Sequence, residues 1–162
     1  MIRKNMSELI SGTKISSQIK EELRNEIENL KERGLEPCLA VILVGEDPAS
    51  AVYVRNKKKT CEELGIRSVG HDLPGTISQE ELGNLVNELN NDPSVNGILN
   101  QFPLPKGLDE SRVIRTISPE KDVDGLNPLN AGLIAMGQPR FISCTPYGVL
   151  QMLKRSNIST YE

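Results

Sequence analysis

The chain has 162 residues, 37% of them hydrophobic and only 3% aromatic, with no tryptophan, which suits one domain around an aliphatic core. Its 22 acidic and 19 basic side chains leave a formal net charge of −3, without the basic surplus of a nucleic-acid partner. No apolar run reaches the roughly 18 residues of a membrane span, and "MIRKNMSELISG" lacks the apolar block of a secretory signal, so a cytoplasmic protein is expected.

Over residues 13–33, Ile15, Ile19, Leu23, Ile27 and Leu30 form one stripe among charged positions, and Gly34 follows as a stop, which predicts an amphipathic helix. "CLAVILVG" is apolar without alternation, the pattern of a strand buried on both faces. "DPAS" then breaks the chain, and a second helix is predicted over 49–64, ending at Gly65. "IRSVGHDL" reads as a second strand. Ser78 and Glu81 make a capping box ahead of Leu82, Leu85, Val86 and Leu89, which repeat at helical spacing.

"VNGILNQ" supplies a third strand and "LDESRVIRTI" a short helix. Thr145 and Pro146 read as an N-cap and first helical residue, opening a helix through Leu153. Strands alternating with helices predict an α/β fold, a three-layer helix–sheet–helix domain with a mainly parallel sheet. Ligands of such sheets bind beyond the carboxyl ends of the strands. Cys38, Cys61 and Cys144 are too widely spaced for a disulfide framework or a zinc site and read as reduced packing residues. His71 is the one histidine, which excludes a multi-histidine metal site; no metal is expected.

The second helix carries three consecutive lysines. Lys58 and Lys59 stand four residues before Glu62 and Glu63, within reach of surface ion pairs. Lys57 has no such partner; its helical neighbours are Tyr53, Val54, Thr60 and Cys61. An amine on a weakly polar surface without a carboxylate suits a general base, but the commoner case is a stem lying along apolar surface with its ammonium in water. Spacing alone leaves both open.

"SAVYVRNKKKTCEELGI", "GILNQFPLP", "PEKDVDGLNPLNAG" and "CTPYG" resemble, in order and across most of the chain, the signature blocks of the bifunctional methylenetetrahydrofolate dehydrogenase/methenyltetrahydrofolate cyclohydrolase family. The resemblance implies that Lys57 is the catalytic lysine, that Tyr53 packs against the folate and that Gln101 orients the lysine. It also implies that Asp124, the second aspartate of D-V-D-G, binds the pterin edge, with Val54, Asn100 and Phe102 completing the substrate contacts. A carboxylate is a natural acceptor for the pterin's row of N–H donors. Read alone, Asp122 and Asp124 also fit a polar turn ended by Gly125. A calcium loop is excluded, because the later acidic ligands and closing glutamate are missing. "PLP" at 103–105 removes two backbone donors and fits either a rigid wall for a flat ligand or an ordinary strand exit.

Two positions depart from the family pattern: Asn100 stands where an apolar residue is usual, and Tyr147 where a basic or aliphatic one is common. The resembling enzymes continue into an NADP-binding Rossmann domain, yet no G-x-G-x-x-G follows a predicted strand here. Residues 1–162 are therefore expected to be the folate-binding catalytic domain alone, with NADP a cofactor of the intact enzyme that this chain does not bind. The intact enzyme is expected to be a homodimer and this piece a monomer, with tetrahydrofolate derivatives as partners. Two other readings are a flavodoxin-like or receiver-like signalling domain with Asp122, Asp124 and Lys57 around magnesium, and a non-catalytic interaction domain.

Overall fold

The computed structural model describes residues 9–160; the stretch read for a secretory signal lies, through residue 8, outside them. In chain order the elements are α1 (Gly12–Glu32), β1 (Cys38–Val44), α2 (Pro48–Leu64), β2 (Arg67–Leu73), α3 (Gln79–Asn91), β3 (Gly97–Asn100), α4 (Glu110–Thr116), α5 (Pro128–Ala135) and α6 (Cys144–Arg155). The three strands form one parallel sheet in the order β2-β1-β3, so the unbroken apolar run is the central strand. This is the expected helix–sheet–helix arrangement.

Alternation along β1 divides its side chains between two faces. Ala40, Ile42 and Val44 join Leu82, Val86 and Leu89 of α3 and Val113 of α4 in the main core. Val41 faces the other way and meets Val54 of α2 and Leu99 of β3. The capping box of α3 forms as expected: the Ser78 hydroxyl accepts from the Glu81 N–H, and the Glu81 carboxylate accepts from the Ser78 N–H at 2.9 Å. Helix α2 starts at Pro48 behind the Asp47 cap and ends on Gly65, whose φ of 78° is the left-handed stop.

Three local expectations are corrected. Helix α5 has no counterpart in the sequence reading; Asn127 caps it by accepting the Leu129 N–H at 2.9 Å, and Pro128 opens it. Its apolar residues follow no helical period, because the one residue it buries is Asn130. Helix α6 starts earlier than expected, after Ser143, so Thr145 and Pro146 lie within its first turn, where a missing N–H costs no intrahelical bond. Lys58 reaches across to β2 and pairs with Asp72 at 3.4 Å rather than with Glu62, its chain lying over Gly70, where a side chain would block it.

Candidate active site

Helix α2 presents Tyr53 four residues before Lys57, and Thr60 and Cys61 three and four residues after it, so they share one face. Val54 is buried against Val41 and Leu99, and that packing sets the rotation of the helix. Strand β3 runs out beneath: the Gln101 N–H donates to the Ile42 carbonyl at 2.9 Å, extending the ladder one residue beyond the strand. Gln101 thus leaves the sheet edge with a fixed backbone.

Its side chain is fixed as well. The amide N–H₂ donates to the Phe102 carbonyl at 2.7 Å, which turns the amide oxygen to accept from the Lys57 ammonium at 3.3 Å. Lys57 therefore has a directional, uncharged partner, unlike Lys58 and Lys59, which pair with Asp72 and Glu63. An ammonium held by one amide oxygen keeps donor capacity for a further group.

Beside this pair lies an open cavity of ≈ 390 Å³, lined by Tyr53, Asn56, Lys57, Thr60, Asp124 and Cys144 with Leu39 and Leu99 as its apolar floor. An adjoining hollow of ≈ 340 Å³ shares Leu39, Leu99, Asp124 and Cys144 with it and extends to Cys38 and Phe141. Tyr53 is 62% exposed, leaving a ring face free for a flat ligand. The cavity thus combines an apolar floor, a phenol, an amine and a carboxylate.

Of the side chains singled out from the sequence, Tyr53, Lys57 and Asp124 line one cavity and Gln101 is bonded to Lys57. Val54 and Asn100 lie in the interior, 3% and 2% exposed. By alternation with Ile98 and Leu99, the Asn100 side chain falls on the α3–α4 face, away from α2. Phe102 contributes its carbonyl to Gln101. Tyr147 lines a separate groove between α1 and α6.

The cysteine reading holds for Cys38 and Cys61, which are buried, and is corrected for Cys144, which is exposed and borders the cavity. The residue as a whole is exposed, but its sulfur sits against protein, and this partial loss of solvent pushes the thiol above the usual range, with the Asp124 carboxylate adding to the effect. Sequence spacing carried no signal for Cys144 or Asn56; the thiol reaches the cavity because the start of α6 lies against the 123–125 loop, where its Sγ donates to the Val123 carbonyl at 3.6 Å. The magnesium arrangement of the receiver-like reading is not formed. Asp122 is 3% exposed and engaged by Asn127 and Asn130, while Lys57 and Asp124 border the open cavity.

Residues 10–124 match the family described as tetrahydrofolate dehydrogenase/cyclohydrolase, catalytic domain. The chain belongs to this family. It is 55% identical over 153 residues to the bifunctional protein FolD of Agathobacter rectalis, covering 94% of this chain and 55% of that protein. Identity to FolD of Geobacillus thermodenitrificans is 54% over 152 residues, again 94% of this chain and 54% of that one. The chain therefore spans about half the length of the curated relatives it matches. Among solved structures, the bifunctional FolD dehydrogenase/cyclohydrolase of Campylobacter jejuni superposes with a TM-score of 0.92 at 47% identity, over 93% of this chain and 54% of that one. The Trypanosoma brucei methylenetetrahydrofolate dehydrogenase-cyclohydrolase, solved with NADP and an inhibitor, gives 0.89 at 33% identity, over 94% and 52%.

Proposed function

We propose that this chain is the folate-binding catalytic domain of a bifunctional enzyme that oxidises 5,10-methylenetetrahydrofolate with NADP and hydrolyses 5,10-methenyltetrahydrofolate to 10-formyltetrahydrofolate. The observation that carries the reading is the 3.3 Å contact between Lys57 and Gln101 at a cavity that also holds Tyr53 and Asp124. In the hydrolytic half, water adds to the methenyl carbon and loses a proton; the carbon–N5 bond then breaks, the hydroxyl giving up its proton as the formyl oxygen forms and N5 taking one up. Lys57 takes the proton lost by the water in its neutral amine form, the form suited to lie beside the substrate cation, while Gln101 aims the amine, Tyr53 stacks on the folate and Asp124 accepts from the pterin N–H groups.

The described residues do not fit NADP. A dinucleotide pyrophosphate favours a helix N-terminus that follows a strand, but all three such helices here begin with acidic groups. These are Asp47 at α2, Glu80 and Glu81 at α3, and Asp109 with Glu110 at α4. The Ser50 backbone N–H holds the Asp47 carboxyl below the usual range, so a negative charge already occupies the first of them. On this reading the NADP site belongs to the further length that the relatives have. The intact enzyme is a cytoplasmic homodimer on this reading, with this domain monomeric by itself. No described helix is long and apolar enough to cross a membrane.

Lys57→Ala tests the assignment. Loss of methenyl hydrolysis by at least the roughly 10²-fold typical of removing a general acid or base is expected, and equal rates would remove Lys57 from the chemistry. Binding of 5-formyltetrahydrofolate reads the site without turnover. Asp124→Ala should weaken it, and unchanged affinity contradicts the pterin contact.

A further inference from the structure

The two aspartates of D-V-D-G have opposite fates. Asp124 borders the open cavity, whereas Asp122 is only 3% exposed. One oxygen of Asp122 accepts both the Asn127 backbone N–H and the Asn130 side-chain amide, each at 2.8 Å. Asn130, fully buried, also donates to the Pro119 carbonyl at 3.0 Å. The Asn127 amide donates to the Ile117 carbonyl at 3.0 Å while its oxygen caps α5. Asp122 is thus tied to the end of α4 and the start of α5.

The chain just before it is pinned independently. The Ile98 N–H of β3 donates to the Lys121 carbonyl at 2.7 Å, and the Lys121 ammonium donates to the Leu89 and Asp92 carbonyls at the end of α3. Just after it, the Gly125 N–H returns to the Asp122 carbonyl at 3.1 Å with φ of 65°, and a side chain at 125 would come within 2.8 Å of the Ser143 nitrogen. Asp124 sits between these two constraints.

A buried carboxylate is a poor source of stability, since its desolvation offsets most of what its hydrogen bonds return. What it supplies is geometry: one oxygen receiving two directed donors allows few loop conformations. We propose that Asp122 is a positioning residue for folate binding, its buried latch with Asn127 and Asn130 holding the loop that presents Asp124 to the cavity. The proposal rests on the reading of Asp124 given above.

The test is a double-mutant cycle on the 162-residue chain, read by calorimetric affinity for 5-formyltetrahydrofolate, with circular dichroism confirming the fold of each variant. Asp122→Ala should weaken binding about tenfold or more, because small misplacements of a binding group are costly. Asp122→Asn retains an oxygen that can accept both donors and should stay within about threefold of the parent. The Asp122→Ala/Asp124→Ala protein should bind no more weakly than Asp124→Ala alone, since a residue acting only through Asp124 has nothing left to position. A merely structural role would leave the two losses additive. Additive losses, or parental affinity in folded Asp122→Ala, overturn the proposal. If Asp122→Ala does not fold, Asn130→Ala takes its place in the same cycle. A parent chain that fails to bind contradicts the proposed function itself, whereas a parent that binds with additive losses contradicts the latch alone.

Discussion

The two faces of the sheet are filled differently. On the α3–α4 side, eleven buried residues from Cys38 to Ile117 make a continuous core with Leu82, Val86 and Ile98 almost fully enclosed. On the α2 side the cluster against the sheet is smaller, Val41, Val54 and Leu99, with Cys61 and Leu64 also buried on the helix, and beyond them the sheet face opens into the cavity of Lys57 and Asp124. Stability therefore comes chiefly from one face, and binding groups are mounted on the face left incompletely covered. A rigid sheet with one closed side can hold an open side in register, which is what a site needs from its scaffold.

Truncating one leucine on each face probes this division most strongly. Leu82→Ala should cost about 3–5 kcal/mol in chemical unfolding, the range for a fully enclosed site that cannot collapse, while folate affinity of the folded protein stays put. Leu99→Ala, at the cavity floor, should cost nearer 2 kcal/mol because solvent already reaches its surroundings, and it should weaken folate binding. Equal costs would mean that the α2 face is as tightly filled as its opposite.

Gly125→Ala should come next, destabilising by roughly 1–3 kcal/mol, since the new side chain meets the backbone of 141–143 and must adopt positive φ. A folate affinity that falls with it would couple that strap to the open face. Ser78→Ala should lower stability by about 1 kcal/mol through loss of the α3 cap, leaving the cavity unaffected; an urea titration with folate present and absent separates the two effects.

The smallest expected effect is a rate. Burial, and then the Asp124 carboxylate, raise the Cys144 thiol pKa, so less thiolate is present near neutral pH. Asp124→Asn removes the charge, lowers that pKa, raises the thiolate fraction and should speed iodoacetamide labelling of Cys144, followed by peptide mass. Unchanged labelling would place Cys144 out of electrostatic reach of Asp124.

Much of this architecture was legible in the residue order because local rules act over a few residues. The unbroken apolar run of β1, the capping box of α3 and the glycine stop of α2 each follow from side-chain size, hydrogen-bonding capacity or backbone freedom at neighbouring positions. Helix α5 carries a local start signal in Asn127 and Pro128, but no helical period of apolar residues follows it, because Asn127 and Asn130 turn inward to carbonyls of a segment some ten residues earlier. Spacing left Lys57 between a base and a snorkelling surface amine; the resemblance of ordered blocks selected it, with Tyr53, Gln101 and Asp124.

By itself, then, the sequence determined the order of elements, the helix-sheet-helix layering and the separation of Lys57 from the ion-pairing lysines beside it. Only the tertiary structure decided that Lys57 meets Gln101, that Cys144 joins the cavity, that Asn100 turns inward and that the two aspartates of one turn face different surroundings. The reason is range. Periodicity and capping act within one turn, whereas Lys57 and Gln101, or Asp124 and Cys144, lie 20 or more positions apart and meet only after the sheet has aligned the ends of its strands, and the aspartate pair is sorted by asparagines that a later helix brings in.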